Sequence, residues 1–171
     1  MKKTVVFDMH GLIYSYSPDF DNERSIDALD AAVRSHPDLT EQKAENESVS
    51  MWIAGDSSEL VAYEIPGALG RVFEYVRKAY RIVFASSSDA DTTKKILRFI
   101  IGRRGIDLDV NSFEIRSFEG SKKEPREWVK ALRGCENITD IYDDNPEYLK
   151  AAFEAAKALG SSPRLHASVK D

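Results

Sequence analysis

Asp8 closes a short apolar run, Thr4-Val5-Val6-Phe7, and is followed by Met9-His10-Gly11. A carboxylate at the end of a buried strand, just ahead of a glycine, is positioned to attack an electrophilic phosphorus and form an acyl phosphate. Three later apolar runs also end in groups suited to that chemistry. Ser86 follows 81–85, Lys122 follows 113–118, and Asp143-Asp144 follow 138–142. Phosphoryl transfer through an aspartate needs a divalent cation held by oxygens, and an ammonium and a hydroxyl for the equatorial oxygens. It also needs a group that protonates the leaving oxygen and then deprotonates water. Asp8 fits the nucleophile, Ser86 the hydroxyl and Lys122 the ammonium. The carboxylates of Asp8, Asp143 and Asp144 and the backbone carbonyl of His10 fit a Mg²⁺ site. Neighbouring strand residues point opposite ways, so one of Asp143 and Asp144 binds metal directly, and Asp144 is the expected ligand. Taken singly, these residues have ordinary readings as helix caps, a polar loop and a solvated lysine pair. Their order along the chain, each following a strand, is what joins them into one site.

The elements that must position them follow from pattern. Short apolar runs alternate with helical periodicity, which predicts a doubly wound, Rossmann-like α/β fold with a parallel sheet. The strands fall at 4–7, 81–85, 113–118 and 138–142, with a fifth at 164–169. In such a sheet the carboxyl ends share one edge, where ligands bind. Asn145, Pro146 and Gly160 punctuate a helix with Leu149, Ala152, Phe153, Ala156 and Leu159 on one face. Ser88 with Asp91 has the form of a capping box for a helix burying Ile96, Leu97, Ile100 and Ile101. Leu69, Val72, Phe73 and Val76 mark another helix. Ser25 is a candidate cap for a short helix that turns Ile26, Leu29 and Val33 inward.

Residues 14–65 interrupt the alternation. Their polar middle, 37–50, reads as a loop, and 51–65 as a β-hairpin around Gly55. The chain is expected to be a single domain over 1–171, with 14–65 inserted across the carboxyl edge and no large cap domain. Tyr14, Tyr16 and Trp52 are candidates to line a substrate pocket.

Composition narrows the class. The 171 residues carry 42% hydrophobic residues and a net charge of −5, so a single core is expected and no basic field exists to attract nucleic acid. The single Cys135 excludes an internal disulfide, which suits a reducing compartment. The apolar stretch at the N-terminus is too short for a signal peptide, and no run approaches the roughly 20 residues needed to span a bilayer. A cytoplasmic location without membrane or nucleic-acid partners is expected; oligomeric state is left open.

These residues resemble the haloacid dehalogenase superfamily of aspartate-based phosphatases. Val5-Val6-Phe7-Asp8 is similar to its first motif, Ile82-Val83-Phe84-Ala85-Ser86 to its second, Lys122 to its third and Asp143-Asp144 to its fourth. Phe113-Glu114-Ile115 ahead of Gly120-Ser121-Lys122 resembles the small magnesium-dependent phosphatase branch. The resemblance implies a Mg²⁺-dependent phosphatase working through a phosphoaspartate. Its substrates would be a small phosphorylated metabolite or a phosphoprotein. Two positions depart from the pattern: His10 stands where the family's acid–base Asp is usual, and Leu12 where Thr or Ser is. An imidazole titrating near ~6.5 can carry the proton instead. The carboxylates around it would raise that value and Mg²⁺ would lower it. The alternatives are a phospho-ligand-binding domain without turnover, a metal-free dehalogenase and a phospho-accepting receiver domain. The acidic pair argues against the dehalogenase. The order of the motifs argues against the receiver.

Overall fold

Val5 and Phe7 point to one face of the first strand and Val6 to the other, and all three are fully buried. A strand apolar on both sides belongs in the middle of a sheet covered by helices on each face. The computed structural model, which describes residues 1–170, has that arrangement. Along the chain run β1 (Thr4–Phe7), β2 (Tyr14–Ser15), α1 (Asn22–Ser35), α2 (Glu41–Ile53), β3 (Tyr63–Glu64), α3 (Ala68–Arg77) and β4 (Arg81–Ser86). Then come α4 (Ala90–Arg103), β5 (Glu114–Ser117), α5 (Pro125–Ala131), β6 (Ile138–Tyr142), α6 (Pro146–Ala158) and β7 (Arg164–His166).

The main sheet has the order β5-β4-β1-β6-β7, with every pairing parallel. Phe7 pairs with Phe84 on one side and Tyr142 on the other, so Asp8, the end of β4 and Asp143 leave the sheet at one level. Val5 and Phe7 pack with Leu69 and Val72 of α3 and Ile96 and Leu97 of α4. Val6, Val83 and Ala85 pack with Trp128 of α5 and Ala152 and Ala156 of α6. The chain turns from one side of β1 to the other after β5. The ligand crevice of a doubly wound sheet opens where the winding reverses in this way.

All five expected strands are present, as are the helices that begin at Pro146 and run through Leu69–Val76. The insertion differs from expectation. Residues 41–53 form helix rather than loop, so Met51, Trp52 and Ile53 are its last turn and not the first strand of a hairpin. The antiparallel pair joins the two ends of the insertion instead, Tyr14 opposite Glu64 and Ser15 opposite Tyr63. Asp21, not Ser25, caps α1, its carboxylate accepting from the Arg24 N–H. The helix therefore starts earlier, and Ile26 is 50% exposed. Asp89, one residue past Ser88, caps α4.

The two inserted helices lie over the carboxyl edge and are fastened to the core. The Asn46 amide donates to Asp91 Oδ2 at 2.9 Å and to Thr92 Oγ1 at 2.8 Å, and Lys95 Nζ donates to Ser50 Oγ at 2.8 Å. Trp52 stacks on Phe99 with ring centroids 4.4 Å apart.

Candidate active site

Lys122 is the centre of the site. Its Nζ donates to Asp8 Oδ1 at 2.8 Å, to Asp143 Oδ2 at 2.9 Å and to the Ala85 carbonyl at 3.4 Å. The rings of Tyr148, Trp128 and Phe118 surround the same ammonium, their centroids 5.0, 5.1 and 5.4 Å away. The backbone is held as well, since the Trp128 indole N–H donates to the Lys122 carbonyl at 2.7 Å. Burial alone would lower the affinity of this amine for its proton. The adjacent Asp8 and Asp143 carboxylates outweigh that and hold it above the usual lysine range. A buried ammonium satisfied on several sides is a fixed charge rather than a mobile one.

Asp8, Asp143 and Asp144 place one oxygen each within 4.8 Å of one another. Asp143 is fully buried, and both its oxygens are engaged, Oδ2 with Lys122 and Oδ1 with the Asn145 N–H at 3.0 Å. Asp144 accepts from the Asn22 amide on α1 at 3.2 Å. Burial first, then the Asp8 carboxylate, push Asp144 up to about 7. The same two causes push Asp143 upward against the pull of Lys122. To burial is added a charge imbalance, with three carboxylates facing one ammonium. The donor set fits a divalent cation, which would cancel the remaining charge and takes carboxylate oxygens as ligands.

Gly11 makes this approach possible. Its φ is +88°, and a Cβ there would lie 2.5 Å from Asp144 Oδ2. Gly11→Ala is therefore expected to displace Asp144. Divalent-cation affinity should fall about tenfold or more by calorimetry, a loss in the range seen when groups orienting metal ligands are disturbed. Unchanged affinity would separate Asp144 from cation binding.

Ser86 is buried, and its Oγ accepts from the Ser88 N–H at 3.1 Å and from the Thr93 hydroxyl at 3.2 Å. The Thr93 hydroxyl also reaches the Asp89 carbonyl at 3.0 Å, which can only accept, so the serine and threonine protons are shared along one short chain. His10 Nε2 lies 2.5 Å from Ser25 Oγ, which already accepts the Tyr16 N–H at 2.8 Å. The imidazole packs on Tyr14 and Tyr16, at 5.6 and 5.2 Å between centroids. Burial lowers its pKa, and Asp8 offsets this only in part. The upward pull of Asp8 is the one expected from the sequence, but it is outweighed because the two tyrosines and the inserted helices exclude the water that a charged ring would need.

A cavity of about 490 Å³ opens above these groups. Asp8, His10, Lys122 and Asp144 reach it from the sheet edge, with Ser87 and Ser88 beside them. Its roof carries Asn22, Ile26 and Leu29 from α1 and Glu41, Gln42 and Glu45 from α2. Trp52 is not among its walls, and Tyr14 and Tyr16 sit behind His10 rather than facing the cavity. Sequence reasoning missed the roof residues because it took 37–50 for a loop. Thr40, which caps α2 by accepting from Lys43, was the available signal.

No family profile and no curated protein matches this chain. Solved structures do match. The HAD domain of the effector protein Lem4 from Legionella pneumophila is 14% identical, with a TM-score of 0.59, covering 98% of this chain and 86% of that one. CbbY from Rhodobacter sphaeroides in complex with phosphate is 16% identical, with a TM-score of 0.60, covering 100% and 96%. A hydrolase from Pseudomonas syringae is 14% identical, with a TM-score of 0.54, covering 95% and 83%. The fold is therefore that of the haloacid dehalogenase superfamily.

Proposed function

We propose that this haloacid dehalogenase-like protein hydrolyses phosphate monoesters through a phosphoaspartate on Asp8, with Mg²⁺ as cofactor. The observation that carries the reading is the Asp8–Lys122–Asp143 ion triad, with Asp144 beside it, at the floor of a cavity. An Asp8 oxygen attacks phosphorus, the ester P–O bond breaks, and the departing oxygen takes a proton from the protonated form of His10, which leaves the imidazole neutral for the second step. Water then attacks the acyl phosphate, gives up a proton and releases inorganic phosphate. Lys122 neutralises charge on the transferring group and Ser86 donates to one of its oxygens. Asp144, less engaged with protein donors than Asp143, would be the direct metal ligand, with Asp8 and the His10 carbonyl completing the protein's share. The ion, when bound, offsets the charge of the phosphoryl oxygens. The roof formed by α1 and α2 favours a small phosphorylated metabolite over a phosphoprotein.

His10 is the proposed proton carrier. A largely neutral imidazole at neutral pH is suited to taking the proton from water in the second step. His10→Ala should abolish turnover of p-nitrophenyl phosphate while beryllofluoride still binds. Hydrolysis at the parental rate would remove His10 from the chemistry. The reading as a whole is tested by phosphate release from a panel of esters with Mg²⁺ and with EDTA. Ester binding without Mg²⁺-dependent release would instead make the chain a phospho-ligand-binding domain. The confinement of the imidazole by Ser25, Tyr14 and Tyr16 is the observation that keeps that second reading open.

A further inference from the structure

The walls of the cavity carry information about the part of the substrate beyond its phosphate, on the premise that Asp8 receives a phosphate ester. Among the described residues Lys122 is the only lysine or arginine lining the cavity, and Asp8 and Asp143 already engage it. The charged groups the roof contributes are Glu41 and Glu45, one turn apart on α2. Glu45 is the more constrained of the two. It is 4% exposed, and its Oε2 accepts from the Tyr16 hydroxyl at 2.7 Å. Gln42 donates to the Ser87 carbonyl at 2.9 Å, which fixes this end of α2 against the loop that follows β4. Ile26 and Leu29 of α1 supply an apolar surface within the same cavity.

A substrate held by its phosphate at Asp8 extends its leaving group between an apolar surface and a carboxylate surface. We propose that the leaving group carries an ammonium seated against Glu41 and Glu45, and carries no second anionic group. The substrate class is an amino-alcohol or amino-sugar phosphate. A second phosphate or a carboxylate would meet like charge with no cation free to answer it, which lowers affinity and excludes wrong partners. Burial already resists ionisation of Glu45, and Asp89 and Glu41 add to the resistance while the Ser88 and Tyr16 hydroxyls oppose it. An incoming ammonium relieves that cost, so the empty wall is set up to gain from a cation.

The test uses the full chain carrying Asp8→Asn, with Mg²⁺, so that binding is read without turnover. Three esters of similar size are titrated by calorimetry: glucosamine 6-phosphate, glucose 6-phosphate and 6-phosphogluconate. Affinity should fall in that order, with about tenfold or more between the first and the last. Adding Glu41→Gln and Glu45→Gln should shrink that spread to about threefold or less. Because Glu45 is buried, Glu41→Gln alone serves as a second variant, and it should reduce the spread without altering the fold. Equal affinities, a preference for the carboxylate ester, no binding of any of the three, or a spread unmoved by the Gln variants would each overturn the proposal. Hydrolysis of p-nitrophenyl phosphate by the unaltered chain reports separately on the phosphatase reading, and it can fail while the order of affinities stands.

Discussion

Replacing Asp8 with Asn should lower phosphate release by about 10⁴-fold or more, as loss of a covalent nucleophile does elsewhere. The amide keeps the shape of the carboxylate and still offers an oxygen to Lys122, so the fold should survive. It is a far poorer nucleophile toward phosphorus. The substitution also removes one negative charge from a cluster that has too many. The metal-free variant should therefore melt higher than the parent even as it loses turnover. Rapid acid quench of the parent with substrate should trap a protein heavier by one phosphoryl group, with the adduct on the peptide containing Asp8. An Asp8→Asn protein that turned over within tenfold of the parent, or an adduct mapped elsewhere, would end the nucleophile assignment.

Withdrawal of the divalent cation should cost on the order of 10³-fold in turnover, since charge stabilisation by such an ion is worth several kcal/mol. The same cluster then dictates how stability depends on pH. Asp144 sits at about 7 in the folded chain against an ordinary 3.8, and Asp143 is shifted in the same direction. Groups raised on folding favour the native state fully below their unfolded value, and that contribution is lost as pH rises through the folded one. Between pH 5 and pH 8 the metal-free protein should thus lose on the order of 1–2 kcal/mol from these groups after allowance for solvent screening. That corresponds to a Tm lower by about 5 °C. Mg²⁺ should remove the loss at pH 8 and bind more weakly at pH 6, where protons compete for the same oxygens. The difference between melting curves with and without Mg²⁺ isolates the site from His10 and Glu45, whose proton affinities burial also shifts. A gap that fails to widen as pH rises would mean that the cation does not occupy this cluster.

The legibility of the sequence follows its physics. Strands apolar on both faces announce themselves, and β6 falls at the expected residues because Ile138, Ile141 and Tyr142 have no alternative to burial. Polar residues that follow the strands then converge by geometry alone, which is why the sequence groups Asp8, Lys122 and Asp143. Helix α2 defeats the same logic. Its buried side contains Ala44, Glu45, Ser48 and Val49, so no apolar stripe marks it. Its last turn, Met51-Trp52-Ile53, has the composition of a strand. The cap of α1 was misplaced because Ser25 is a good cap by type, whereas its hydroxyl is committed to Tyr16 and His10. The downward shift of His10 depends on packing by residues of the insertion, and no spacing rule conveys that.

The narrow ribbon formed by β2 and β3 has a practical consequence. The chain leaves the sheet scaffold at Tyr14 and returns at Glu64 as direct neighbours, so everything between occupies a cassette whose two ends meet. A change within it alters the roof over the site, and the contacts of Asn46, Ser50 and Trp52 with α4 set which replacements the core beneath accepts. Transplanting a different segment between these two positions would be the economical route to a new clientele for the same reaction chamber.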